Sequence, residues 1–187
     1  MTFEESLIEH CSPTLAGIKV ASLYRFSPED HCHFAERYRF LSRCFSRRGM
    51  KLTILKGCRA TNSWLLYLYR EEWLERLLSD TEILNYLADL DYDASAGARG
   101  LLRQLTRRIC LQRDFPHEIG IFLGYPLEDV KGFIENKGKD YACSGCWKSY
   151  GDPGEARRRF SSYRACKAIY KRRFAEGTPI DRLIAAA

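Results

Sequence analysis

Residues 51–70, KLTILKGCRATNSWLLYLYR, decide the fold class: two β-rich runs, KLTILK (51–56) and SWLLYLYR (63–70), flank the six residues Gly57-Cys58-Arg59-Ala60-Thr61-Asn62. Neighbouring strands joined by so short a loop pair most simply as an antiparallel hairpin. Upstream, IKVASLYRF (18–26) reads as another strand, with Ile18, Val20 and Tyr24 on one side and Ala21 and Leu23 on the other. Between them, Ser27-Pro28-Glu29-Asp30 is a helix start, and Phe34, Tyr38, Leu41 and Phe45 keep helical spacing, so a helix is expected over 28–48, closed by Gly49. Strand, helix, strand in that order fits a right-handed crossover, to which the hairpin adds an antiparallel neighbour.

Residues 1–10 suit a short helix stopping before His10-Cys11-Ser12-Pro13, where Ser12 as cap and Pro13 at the first helical position would start a single turn ended by Gly17. After Arg70 the period turns helical. Ser79 and Glu82 form a capping-box pattern, Asp93 is a cap, and Leu101, Leu102, Leu105 and Ile109 form a buried stripe. Phe115-Pro116 opens a helix to about residue 124, Tyr125-Pro126 turns, and 127–136 is a second helix ended by Lys137-Gly138. Residues 141–150 read as an irregular edge strand. Asp152-Pro153-Gly154-Glu155 then starts a long helix with Phe160, Tyr163, Tyr170 and Phe174 inward and Arg157, Arg164 and Lys171 outward.

The expected architecture is therefore α/β or α+β: a small mixed sheet of three to four strands with a helix-rich remainder, in a single domain over 1–187. Its sheet-forming part would be 10–70, its helical part 71–137, and a closing edge strand and long basic helix would fill 140–176. A chain of this size buries enough surface to fold without staples, and 45% hydrophobic with 13% aromatic residues excludes global disorder.

MTFEESLIEH, the first ten residues, lacks a basic region followed by an apolar run, and no stretch approaches the ~18 apolar residues of a membrane span. The expectation is a cytosolic protein with no membrane partner. Eight cysteines in a reducing compartment suggest free thiols, metal ligation or redox chemistry before a disulfide framework. The net charge of +6 is concentrated in 155–176, which carries eight Lys or Arg against two Glu. Such a helix is usually a solvated face, and it is also the footprint by which nucleic acid or an acidic partner would be held.

Chemistry-bearing residues cluster at element ends. Cys11, beside His10 and a helix start, has reason to ionise as nucleophile or ligand, though a buried thiol next to a capping His is the simpler explanation. His117-Glu118 follows Pro116: Glu118 suits the helix dipole, and His117 could shuttle a proton or bind a metal. Cys143-Ser144-Gly145-Cys146 has the spacing for one metal ion or a dithiol, but supplies half of a tetrahedral site, which His10 and Cys11 would have to complete. Zinc, iron or haem would suit these donors, and none is required. His31-Cys32-His33 points its side chains apart on a helix and makes a poor chelate. Ile119, Gly120, Leu123, Gly124, Val130 and Phe133 fit a helix-turn-helix pattern, yet Glu128 and Asp129 occupy the positions where base and phosphate contacts need Arg, Lys, Asn or Gln.

Four segments carry a family resemblance: HCSPTLAGIKVASL (10–23), WLLYLYR (64–70), FPHEIGIFLGYPLEDVKGFI (115–134) and CSGCWKSYGD (143–152). Through them the chain resembles a bacterial family, common in anaerobes, known only as a domain of unknown function. The resemblance carries no activity. It implies that His10, Cys11, Lys19, His117, Glu118, Cys143, Trp147 and Tyr150 belong to family segments. The chain departs from the pattern at Cys146, where an aromatic residue, usually Tyr, is expected, and this weakens the Cys-x-x-Cys as a shared device.

Three expectations follow. The first is a ligand-handling protein or enzyme for a small molecule, with Cys11, His117 and Glu118 as catalytic groups, His10, Lys19, Trp147 and Tyr150 as ligand contacts, and Cys143 nearby. The alternative is a nucleic-acid- or protein-binding module using the hairpin 116–136 and the basic helix 153–176. The third is a scaffold with no site.

Overall fold

The protein is described by a computed structural model covering residues 1–58 and 60–185. In chain order its elements are α1 (Phe3–Leu15), β1 (Ala21–Phe26), α2 (His31–Ser46), β2 (Met50–Cys58), β3 (Ser63–Arg70), α3 (Glu71–Leu77), α4 (Thr81–Asp89), α5 (Gly97–Leu111), α6 (Ile119–Phe122), α7 (Leu127–Glu135), β4 (Cys143–Ser144), β5 (Lys148–Ser149) and α8 (Pro153–Ala175), with short 3-10 turns at Ala94–Ala96 and Ile180–Leu183. They form two compact units, Met1–Trp73 with Ala165–Ala187, and Leu74–Arg164. This is an α+β protein, as the period changes along the sequence imply.

The first unit is built on the hairpin. β3 is the central strand of the order β1-β3-β2 and pairs antiparallel with both neighbours, so β1 and β2 run in the same direction on either side of it, joined through α2. The register sets Tyr24 opposite Leu66, Ser22 opposite Leu68, and Leu52 opposite Leu68. One face of the sheet thus presents an apolar layer, which joins Leu7, Cys11 and Leu15 of α1, Phe34, Leu41 and Phe45 of α2, and Ile180 and Leu183 in one core. A bulge at Leu55 lets β2 run on to Cys58, so it covers two residues expected in the loop; Arg59, in that loop, lies outside the described residues.

α1 corrects the expected break at residue 10. A complete capping box starts it, with Glu5 N donating to Thr2 Oγ1 at 3.1 Å and Thr2 N donating to Glu5 Oε2 at 2.7 Å. Ser12 is not a cap, because its hydroxyl turns back to donate to Ile8 O inside the helix. Pro13 is tolerated in the last turn because Leu7, Cys11 and Leu15 share a stripe fully buried on the sheet. The helix end also shortens β1: Ile18 N and Lys19 N both donate to Pro13 O, and regular pairing starts at Ala21.

Arg70 closes this unit. Its side chain is 2% exposed, and it donates to Thr14 O and Leu15 O at 2.9 Å each and to Ala185 O at 3.1 Å. It therefore satisfies carbonyls at the open end of α1, a task for which a buried guanidinium is well shaped.

In the second unit Asp80, rather than Ser79, caps α4, accepting from Glu82 N at 2.9 Å and Ile83 N at 3.1 Å. Asp93 caps the 3-10 turn that leads into α5, whose Leu101, Leu102, Leu105 and Ile109 are buried as the stripe implies. The expected edge strand over 141–150 is instead a two-stranded hairpin of its own, β4 with β5, too short to extend a larger sheet.

Candidate functional site

Asp129, in the first turn of α7, organises the β4–β5 hairpin. It is 3% exposed, and its Oδ1 accepts from Tyr150 N at 2.6 Å, Gly151 N at 3.0 Å and Ser149 Oγ at 3.1 Å. Its Oδ2 accepts from Trp147 Nε1 at 2.6 Å. Four donors replace the hydration of one buried carboxylate, which is what allows it to be buried without a cation. Gly132 fits beside them because a Cβ there would overlap the Tyr150 ring, and Tyr150 Oη donates to Lys139 O at 2.8 Å.

Held this way, the Trp147 indole becomes a wall. It stacks on Tyr125 with centroids 4.8 Å apart and 21° between planes, and meets Phe160 edge-on at 4.5 Å and 81°. Gly145 leaves room for Phe160, whose ring a Cβ would overlap. Phe133 brings a further ring, against which His117 packs at 4.9 Å. At Gly120 a Cβ would fall 2.8 Å from Val130 Cγ2, so glycine lets α6 approach α7. Trp147, Tyr125, Phe133, His117, Val130 and Gly120 line an open-mouthed cavity of about 360 Å³, to which Ser144, Cys146 and Lys148 also contribute. Burial pushes the Tyr125 hydroxyl well above the usual tyrosine range, so this wall stays neutral.

A family model described as "Protein of unknown function (DUF3793)" matches residues 7–184. The chain belongs to the DUF3793 family. The matched span contains every residue of the cavity and bears out the family resemblance of the sequence. No curated protein and no solved structure matches the chain.

Of the residues singled out in this DUF3793 chain, His117, Cys146 and Trp147 line the cavity. Tyr150, expected as a ligand contact, is not in the lining: its N–H donates to Asp129 and its hydroxyl to Lys139 O. Cys143 is half-buried, with its Sγ 4.0 Å from Pro153 O. Glu118 is engaged elsewhere: it is 7% exposed and accepts from Tyr92 Oη at 3.0 Å and Arg108 Nη1 at 3.3 Å, while Arg108 lies 4.0 Å from the Tyr92 ring centroid. Burial first, and then the Glu118 charge, push the Tyr92 hydroxyl well up. Glu118 thereby ties α6 to α5 and to the turn holding Tyr92, and the ring against His117 is Phe133.

His10, Cys11 and Lys19 belong to the first unit. Cys11 is fully buried, and burial pushes its thiol up to about 12. The His10 ring stacks on Tyr24 at 4.8 Å, and burial lowers its pKa. Among the described residues no group of three or more His, Cys, Asp or Glu is placed to hold a metal ion.

The helix-turn-helix pattern resolves into α6, which has four residues, and α7, whose Asp129 is occupied by the hairpin. Along α8, Phe160 is buried and Arg157, Arg164 and Lys171 are exposed, as the sequence implies. Part of the helix's charge is used within the chain, where Lys167 and Lys171 both pair with Glu9. Among the described residues no helix is long and apolar enough to cross a membrane.

Sequence reasoning missed Asp129, Tyr125, Phe133 and Lys148. An acidic residue in a first helical turn is accounted for by the dipole alone, and aromatic residues at helical spacing read as core. The one available signal was glycine, at Gly120 and Gly132 inside helical patterns, where a side chain is normally preferred.

Proposed function

We propose that this chain binds a small, flat, largely apolar molecule in the cavity beside Trp147, and that ligand handling is its role. The supporting observation is an aromatic-walled cavity of about 360 Å³, which falls within the range of small-molecule sites. Its principal wall is fixed before any ligand arrives by the Asp129 bonds, and pre-organisation of this kind lowers the cost of binding. Of the groups expected at a thiol/His site, His117 is in the lining, and the thiol there is Cys146 rather than Cys11 or Cys143. Cys11, buried and protonated, takes no part in this reading.

The test is a titration with N-phenyl-1-naphthylamine, a neutral aromatic probe that fluoresces when removed from water. The expected result is saturable 1:1 binding, lost in Trp147→Ala and in Phe133→Ala and retained in Trp64→Phe, a substitution in the other unit. Absence of saturable binding, or equal binding by all the variants, would sink the proposal.

A further inference from the structure

The charges in the lining are unequal. Its acidic group is Asp129, and both carboxylate oxygens are already taken by four donors. Lys148 has no such compensation: its ammonium donates one bond, to Gly138 O at 2.7 Å, and lies 4.9 Å from the Tyr141 centroid and 5.9 Å from that of Phe133. Among the described residues no carboxylate forms an ion pair with it. An ammonium has three N–H donors, and those not given to Gly138 remain for a ligand. In a mainly apolar recess, one uncompensated cation beside aromatic walls selects for an anion attached to a flat ring.

Resting on the ligand-binding reading above, we infer that the cavity takes a planar aromatic carboxylate, with the ring beside Trp147 and Phe133 and the carboxylate on Lys148 Nζ. A single ammonium matches a monoanion. A phosphate dianion is normally held by several donors, by a guanidinium or by the start of a full-length helix; no arginine is in this lining, and at the start of α7 the lining residues Asp129 and Val130 give their N–H groups to Pro126 O while the Asp129 carboxylate disfavours a dianion.

The experiment displaces bound N-phenyl-1-naphthylamine with 1-naphthoate or with its neutral counterpart 1-naphthamide, in the wild type, Lys148→Met and Lys148→Arg. Naphthoate should displace the probe at a concentration at least tenfold lower than naphthamide. Lys148→Met should remove that preference, read as the ratio of the two displacement constants against that variant's own probe affinity, Lys148→Arg should keep it, and raising the salt concentration should reduce it. Equal displacement by the two compounds, displacement by neither, or a preference that survives in Lys148→Met would each overturn the anion assignment while the cavity stands. Failure of the probe itself to bind would remove the underlying ligand-binding reading instead.

Discussion

Removing the Asp129 carboxylate should loosen the second unit and free Trp147, and the two obvious substitutions should do so unequally. In Asp129→Ala, Tyr150 N, Gly151 N, Ser149 Oγ and Trp147 Nε1 all lose their acceptor. Hydrogen bonds to a charged group contribute about 1.5–3 kcal/mol each, and a buried donor left unpaired costs about 1–3 kcal/mol. Because the four share one acceptor their costs do not add, and the loss should be on the order of 4 kcal/mol. In Asp129→Asn, a carbonyl can still serve the three donors on Oδ1, but an amide N–H₂ faces Trp147 Nε1–H. The loss should then be about 2 kcal/mol, concentrated on Trp147. Urea unfolding followed by circular dichroism gives the stability change, and the indole N–H resonance of Trp147 reports its hydrogen bond. If both variants unfold within about 0.5 kcal/mol of the wild type and leave that resonance in place, the clamp described here is wrong.

Arg70→Met removes the guanidinium bonds to Thr14 O, Leu15 O and Ala185 O; Thr14 O and Leu15 O keep backbone donors in Gly17 N and Ala185 N, so the loss in urea unfolding should be about 2 kcal/mol. Gly145→Ala and Gly132→Ala drive a Cβ into the rings of Phe160 and Tyr150 and should each lose about 1–3 kcal/mol by overpacking, read as a lower Tm. Cys11 has a folded-state pKa raised from 9.0 to about 12. A raised acid keeps its proton in the folded state, so its contribution to stability is present below about 9 and declines as the pH rises from there towards 12. Cys11→Ala should therefore flatten that part of the stability–pH curve. Hydrogen bonding from Thr61 lowers the pKa of Cys58, so Cys58 should react with iodoacetamide at pH 7 well before Cys11, as peptide mapping would show.

The sheet-forming part was legible because its signals are local: alternating apolar residues in two runs close together in the chain, a helix-start signal over Ser27-Pro28-Glu29-Asp30 and a stop at Gly49, although the cap proves to be Asp30 and α2 begins at His31 rather than at residue 28. α1 was read as two pieces because Ser12-Pro13 is a helix start in isolation, and what overrides it is the burial of Leu7, Cys11 and Leu15 on strands that arrive later in the chain. The site was half legible. His117 and Trp147 stand out by type, whereas the function of Asp129 depends on a hairpin about twenty residues away, as its partner Trp147 shows. Nor could the sequence separate His117 from Glu118. One residue apart on a turn, they point to different surroundings, the first to Phe133 at the cavity and the second to Tyr92 and Arg108.

If the Trp147 cavity is a binding site already formed, the indole region of a ¹⁵N–¹H correlation spectrum will report its occupation. The chain has three tryptophans, so that region is readily assigned with Trp147→Phe. On adding N-phenyl-1-naphthylamine, the Trp147 indole resonance should shift and saturate while those of Trp64 and Trp73 stay in place. A Trp147 resonance that does not move, or three that drift together without saturating, would show that the cavity is not a binding site.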